Sequence, residues 1–129
     1  MKLREIALVA MIMGLPAIAP ANARPLKPEQ EAQIKNAGKA VSCVPLNAIQ
    51  STRVRDDSTI DFYMNGHKVY RNRLPNSCPQ LGFEERFSFS TSLSELCSTD
   101  IITVLMSPGI TRGPSCGLGQ FQPVTGAPR

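Results

Sequence analysis

Four cysteines limit this chain more than any other feature. Cys43, Cys78, Cys97 and Cys116 are all the cysteines in its 129 residues. No pair has C-x-x-C spacing and there is a single histidine, so a thiolate metal site has no ligand set. An even count of cysteines in an exported chain reads as two disulfides, and four cysteines allow three connectivities.

The export context comes from the N-terminus. Lys2 and Arg4 make a short basic region, Ile6 to Ala19 is almost wholly apolar, and Ala21-Asn22-Ala23 fits a small-x-small cleavage site. Residues 1–23 therefore read as a signal peptide cut after Ala23, which places the protein in the periplasm or outside the cell. The rival, an uncleaved anchor, needs an apolar run of about 20 residues, longer than this one. No other segment is long or apolar enough to span a membrane. What remains is enough for one modest core. The formal charge of +4 is mild and the basic residues are scattered, which does not describe a nucleic-acid binder.

Residues 24–42 are polar and bury little, so they read as a loosely held arm or linker, with a short helix within Lys27 to Lys39. From Ile49 the pattern has period two. Thr52 and Val54 alternate with Arg53 and Arg55. Asp56-Asp57-Ser58 is a turn cluster, and Ile60, Phe62 and Met64 then alternate with Asp61 and Tyr63. Asn65-Gly66 is a strong hairpin signal, and a third strand follows at about Lys68 to Leu74. A three-residue first loop pairs Val54 with Ile60, Thr52 with Phe62 and Arg53 with Asp61. A one-residue slip would bury Arg53 or Asp61. For the second hairpin, the buried-face pattern favours a three-residue loop that pairs Phe62 with Tyr70 and Asp61 with Arg71.

Beyond the meander, residues 83–90 suggest a strand with Phe83, Phe87 and Phe89 on one face. Ser92 to Glu95 fits a capping box that would start one helical turn with Leu93, Leu96 and Cys97. Ile101 to Met106 reads as a strand buried on both faces, Ser107 to Ser115 as a surface loop, and Cys116 to Val124 as a last strand. The expected fold is mainly all-β: a small antiparallel meander or barrel-like domain of about six strands over residues 43–124, with a flexible tail at 125–129. Up-and-down alternation brings Cys43 to the end occupied by Cys97, and Cys78 to that of Cys116. If residues 83–97 are instead a long loop, Cys78–Cys97 with Cys43–Cys116 is the better pairing.

Five segments carry a resemblance: Cys43 with Ile49-x-Ser-Thr-x-Val54-x-Asp-Asp-x-Thr-Ile60; Val69-Tyr-Arg-Asn-x-Leu-Pro-x-x-Cys78-Pro; Thr91-Ser-Leu-x-x-Leu-Cys97; Asp100-x-Ile-Thr-Val104; and Cys116-Gly-Leu-Gly-x-Phe121-x-Pro123. Together they resemble a family of small exported proteobacterial proteins known only as a domain of unknown function. The resemblance implies an exported, cysteine-bearing β domain and brings no activity.

The densest polar patch is Arg53, Arg55, Asp56, Asp57, Asp61, Arg71 and Arg73. It reads either as a solvent-face charge ladder, with Arg53, Asp61 and Arg71 side by side, or as an anion or carboxylate site with arginine forks. Asp56-Asp57 offers too few ligands for a cation and suits a turn. Glu84 and Glu85, adjacent on a strand, would face opposite sides. His67 sits beside a turn. Asn72 shares the inward face with Tyr70 and Leu74, where it would either staple a neighbouring loop or touch a ligand. The candidate ligand contacts are thus Arg53, Asp61, Arg71 and Asn72, with no catalytic set, cofactor or metal. The expected role is a non-enzymatic module whose partner is an unidentified envelope component. The alternative is a small hydrolase or ligand-processing enzyme built on Asp57, Asp61 or His67.

Overall fold

The computed structural model describes residues 25–91 and 93–128. The signal-peptide segment and Ser92, the expected cap, lie outside the described residues. The chain runs through helix α1 (Pro28–Ala32) and strands β1 (Lys35–Asn36), β2 (Cys43–Pro45), β3 (Ile49–Asp56), β4 (Thr59–Met64) and β5 (Val69–Arg73). Helix α2 (Leu81–Glu84) then leads to β6 (Phe87–Phe89), β7 (Glu95–Cys97), β8 (Ile101–Met106), β9 (Thr111–Gly117) and β10 (Phe121–Thr125).

The strands form a five-stranded sheet in the order β1-β10-β5-β4-β3, a three-stranded sheet β6-β8-β9, and the pair β2-β7. All the pairings are antiparallel, so the mainly β class is as expected. The strands outnumber the expected six or so because β1, β2 and β7 are additional strands of two or three residues and the expected last strand is divided in two, while β6 is a shortened form of the strand expected at residues 83–90. Runs that short carry no readable period.

The central meander has the expected pairs: Val54 with Ile60, Thr52 with Phe62, Arg53 with Asp61, Phe62 with Tyr70, and Asp61 with Arg71. The second loop is the three residues Asn65 to His67, closed by Met64 N–H donating to the Lys68 carbonyl at 2.8 Å. Gly66 and His67 both take positive φ there. The first loop is tighter than expected. Asp56 pairs with Thr59 across a two-residue turn, and Arg55 is the extra residue of a bulge.

The core lies between the inner face of the five-stranded sheet and the other strands. Ile60, Phe62, Leu74 and Phe121 meet Ile102 and Val104 of β8, Leu96 of β7 and Leu81 of α2. Phe62 packs edge-on against Phe121 at 5.3 Å and Phe87 at 6.5 Å between ring centres, joining the two sheets.

Both disulfides follow the alternation argument. Cys43–Cys97 bridges directly paired residues of β2 and β7, and Cys78–Cys116 ties the segment after β5 to β9. Two disulfides indicate an oxidising compartment.

Several expectations need correction. Phe83 lies on α2, not on a strand, and is 57% exposed. This turn forms because Asp57 accepts the Gly82 N–H at 2.7 Å while Gln80 takes a left-handed backbone. The expected helical turn through Leu96 and Cys97 is strand β7. Pairing with β2 supplies its backbone partners, and the Thr91 hydroxyl bonds Leu93 N–H and the Glu95 carbonyl.

β8 is buried on one face only. Ile102 and Val104 face the core, while Ile101 is 57% exposed. The expected loop 107–115 already contains the start of β9, and the expected last strand divides at Leu118 to Gln120 into β9 and β10, which belong to different sheets. Gly119 makes this crossing possible, since a Cβ there would lie 2.1 Å from the Arg73 carbonyl oxygen.

Both terminal segments are structural. β1 of the arm pairs with β10, and the tail begins within β10. Ile34 and Ala127 pack on Tyr63, Val69 and Val124. They cover the face that the period-two pattern assigned to solvent.

Candidate functional site

That covered face holds the polar site. Period two places Asp61 and Tyr63 of β4, and Arg71 of β5, on the side opposite Ile60 and Phe62. Asp61 is fully buried and Arg71 nearly so, which corrects the expected exposed ladder. Asp61 Oδ2 accepts from Arg55 Nε at 2.9 Å and Arg71 Nη2 at 3.1 Å, and Oδ1 accepts from Arg71 Nε at 2.8 Å.

Arg53, although paired with Asp61 in register, is exposed. Arg55, two residues on and so on the same face, is the arginine that bonds Asp61 and is buried with it, although the sequence marks it only as part of the wider patch.

The network continues through both terminal segments. Arg55 Nη2 donates to Tyr63 Oη at 2.7 Å and to the Pro128 carbonyl at 3.1 Å. Tyr63 Oη also donates to the Pro128 carbonyl. Arg71 Nη1 pairs with Glu31 of α1, and Arg73 Nη2 stands 3.9 Å from the same carboxylate oxygen.

Burial raises the Tyr63 hydroxyl above its ordinary value of 10.0. The Arg55 charge partly offsets this and the Asp61 charge adds to it. Burial alone would lower the Arg71 guanidinium, but its hydrogen bonds to Asp61 and Glu31 outweigh that and raise it. Arg71 therefore stays cationic at any pH the fold survives.

Beside this network is a groove of about 550 Å³ whose lining includes the polar residues Glu31, Asn36, Arg71, Arg73, Gln120 and Gln122 together with the apolar Ile34 and Val124. A smaller hollow of about 270 Å³, bounded by Pro25, Leu26, Asp56 and Thr59, shares Glu31, Arg71 and Arg73 with it.

The other candidates are elsewhere. Asn72 is on the core face, where its amide bonds both backbone groups of Gly119. This is the arrangement of the loop-stapling role. Asp57 is engaged with α2, and Asp56 Oδ1 accepts Ser58 N–H at 2.8 Å. His67 lies in the turn at the end of β4 opposite the turn that holds Asp57. Glu84 ends α2 and binds Ser107 through its N–H and hydroxyl, so the expected strand-start role does not apply. Glu95 lies within reach of the Cys43 and Cys97 sulfurs, but both are spent in a disulfide and neither is a thiolate ligand.

Glu31, Tyr63 and the Pro128 carbonyl carried no sequence signal, since their roles depend on distant segments folding back over β4 and β5. No family model, curated protein or solved structure matches the chain at a significant level.

Proposed function

We propose that this chain is a small exported binding module of the cell envelope, acting without catalysis, of the kind the five sequence motifs resemble. Residues 1–23 direct export and are removed. The observation that carries the reading is the groove beside Arg71 and Arg73. It is concave and edged with amides at Asn36, Gln120 and Gln122. Binding sites combine such a concavity with a few oriented polar groups. A hydrolytic site would also need convergent titratable groups. Asp57, Asp61 and His67 are each held in a different place, which weighs on the side of binding.

The test is retention of envelope extract on the immobilised, disulfide-intact protein, followed by mass spectrometry. A component retained by wild type and lost with Arg73→Ala plus Gln120→Ala is expected. Equal retention by the double variant overturns the groove as the binding surface. Intact mass of the exported form should begin at Arg24, and a retained Met1 would remove the signal-peptide reading.

A further inference from the structure

Glu31 places a carboxylate on a receptor built by two arginines. Arg71 is pinned on one side, with Nε and Nη2 held to Asp61 at 2.8 and 3.1 Å. Its Nη1 is therefore an oriented donor facing outward, and Glu31 takes it. Arg73, on the same strand two residues on, approaches the same oxygen at 3.9 Å.

The receptor is fixed, but its occupant is not firmly held. The Glu31 side chain is 44% exposed, while that of Arg71 is 4% exposed. Glu31 belongs to a five-residue helix that buries none of its residues. So short a helix has little stability of its own. Open space lies on both sides of it, since the groove and the smaller hollow meet at Glu31, Arg71 and Arg73.

We infer that Glu31 is an internal stand-in for a ligand carboxylate. The groove takes a carboxylate-bearing ligand whose acid group displaces Glu31 from Arg71 and Arg73, while its neutral polar remainder lies along Asn36, Gln120 and Gln122. This rests on the reading of the chain as a binding module. A guanidinium fork matches a planar carboxylate. A phosphate dianion is disfavoured, because its second charge would face Asp61 behind Arg71 and Asp56 in the hollow. Glu31 is tethered to the site, so it competes at an effective concentration in the millimolar range. An incoming ligand must overcome that competition.

The experiment is an acetate titration of the disulfide-intact protein, wild type and Glu31→Gln, against chloride at equal ionic strength and against inorganic phosphate. The readouts are arginine Nε–H NMR shifts and the thermal midpoint. In Glu31→Gln, acetate should produce a saturable shift and a raised midpoint. The half-saturating concentration should be at least tenfold lower than for wild type, and phosphate should be weaker. Adding Arg73→Ala should weaken the response severalfold.

No saturable response in folded Glu31→Gln overturns the inference, as does an equal response to chloride or indifference to Arg73→Ala. If Glu31→Gln does not fold, wild type decides, and no saturable acetate shift there overturns it equally. An absent acetate response with envelope retention intact removes the carboxylate class and leaves the binding module standing. Loss of both removes both.

Discussion

Asn72 and Gly119 exchange two hydrogen bonds across the core, with Nδ2 donating to the Gly119 carbonyl at 2.7 Å and Gly119 N–H donating to Oδ1 at 2.8 Å. The pair fixes the point where the chain leaves the three-stranded sheet for the five-stranded one. Asn72→Ala removes both bonds, leaves two backbone groups unpaired and opens a cavity. It should cost about 3 kcal/mol in urea unfolding. Gly119→Ala should cost at least as much, because its Cβ would meet the Arg73 carbonyl oxygen at 2.1 Å. A loss below about 1 kcal/mol for both would show that the crossing does not depend on this staple.

The buried charges make a prediction opposite to the one the strand register suggests. Arg53 is opposite Asp61 but exposed, and Arg53→Ala should change stability by no more than about 0.5 kcal/mol. Arg55→Met leaves Asp61 with one arginine fewer and should cost about 3–5 kcal/mol, as should Asp61→Ala. Paired denaturation curves check this. Equal losses at Arg53 and Arg55 would mean that Arg55 is not the buried partner of Asp61.

Tyr63 makes stability fall at alkaline pH. Its pKa is raised in the folded state, so between 10.0 and the folded value the unfolded chain has released a proton that the native chain keeps. Stability is thus fully present below pH 10.0 and is lost as pH rises through the folded pKa. The comparison is with Tyr63→Phe, whose stability should fall less steeply. The part of the tyrosinate absorbance that the folded wild type gains only above pH 10.0 should be missing in that variant. Parallel slopes would dismiss a buried, raised Tyr63.

The two bridges close loops with sequence separations of 54 and 38 residues, a difference that matters little because loop entropy grows only logarithmically. Replacing either cysteine pair with alanine should cost about 4 kcal/mol in the chain-entropy model. Peptide mapping without reduction should yield Cys43–Cys97 and Cys78–Cys116 peptides only. A Cys78–Cys97 peptide would contradict the strand alternation on which both pairings rest.

The meander and its register are legible in the period-two pattern alone. Alternation over β3, β4 and β5 leaves one pairing that buries Ile60 and Phe62 together, and a slip by one residue would put charge into that face. Strand alternation also favours the observed bridges over Cys78–Cys97 with Cys43–Cys116, a choice the pattern leaves open, and it places Asn72 on the core face. These are consequences of neighbouring residues, where local pattern and burial agree.

Which side of the sheet faces solvent depends on segments distant in the chain. Asp61 and Arg71 read as an exposed pair because nothing within β4 or β5 says that α1, β1 and the residues after β10 fold back over them. Their burial comes from Glu31, Ile34, Ala127 and Pro128, which are far away in the chain. Phe83 and β7 failed for the same reason, as a single bond from Asp57 and pairing with β2 outweighed local propensity. The groove at Arg71 and Arg73 belongs to this second class. It exists because the arm crosses the sheet, held there by the pairing of β1 with β10 and by Ile34.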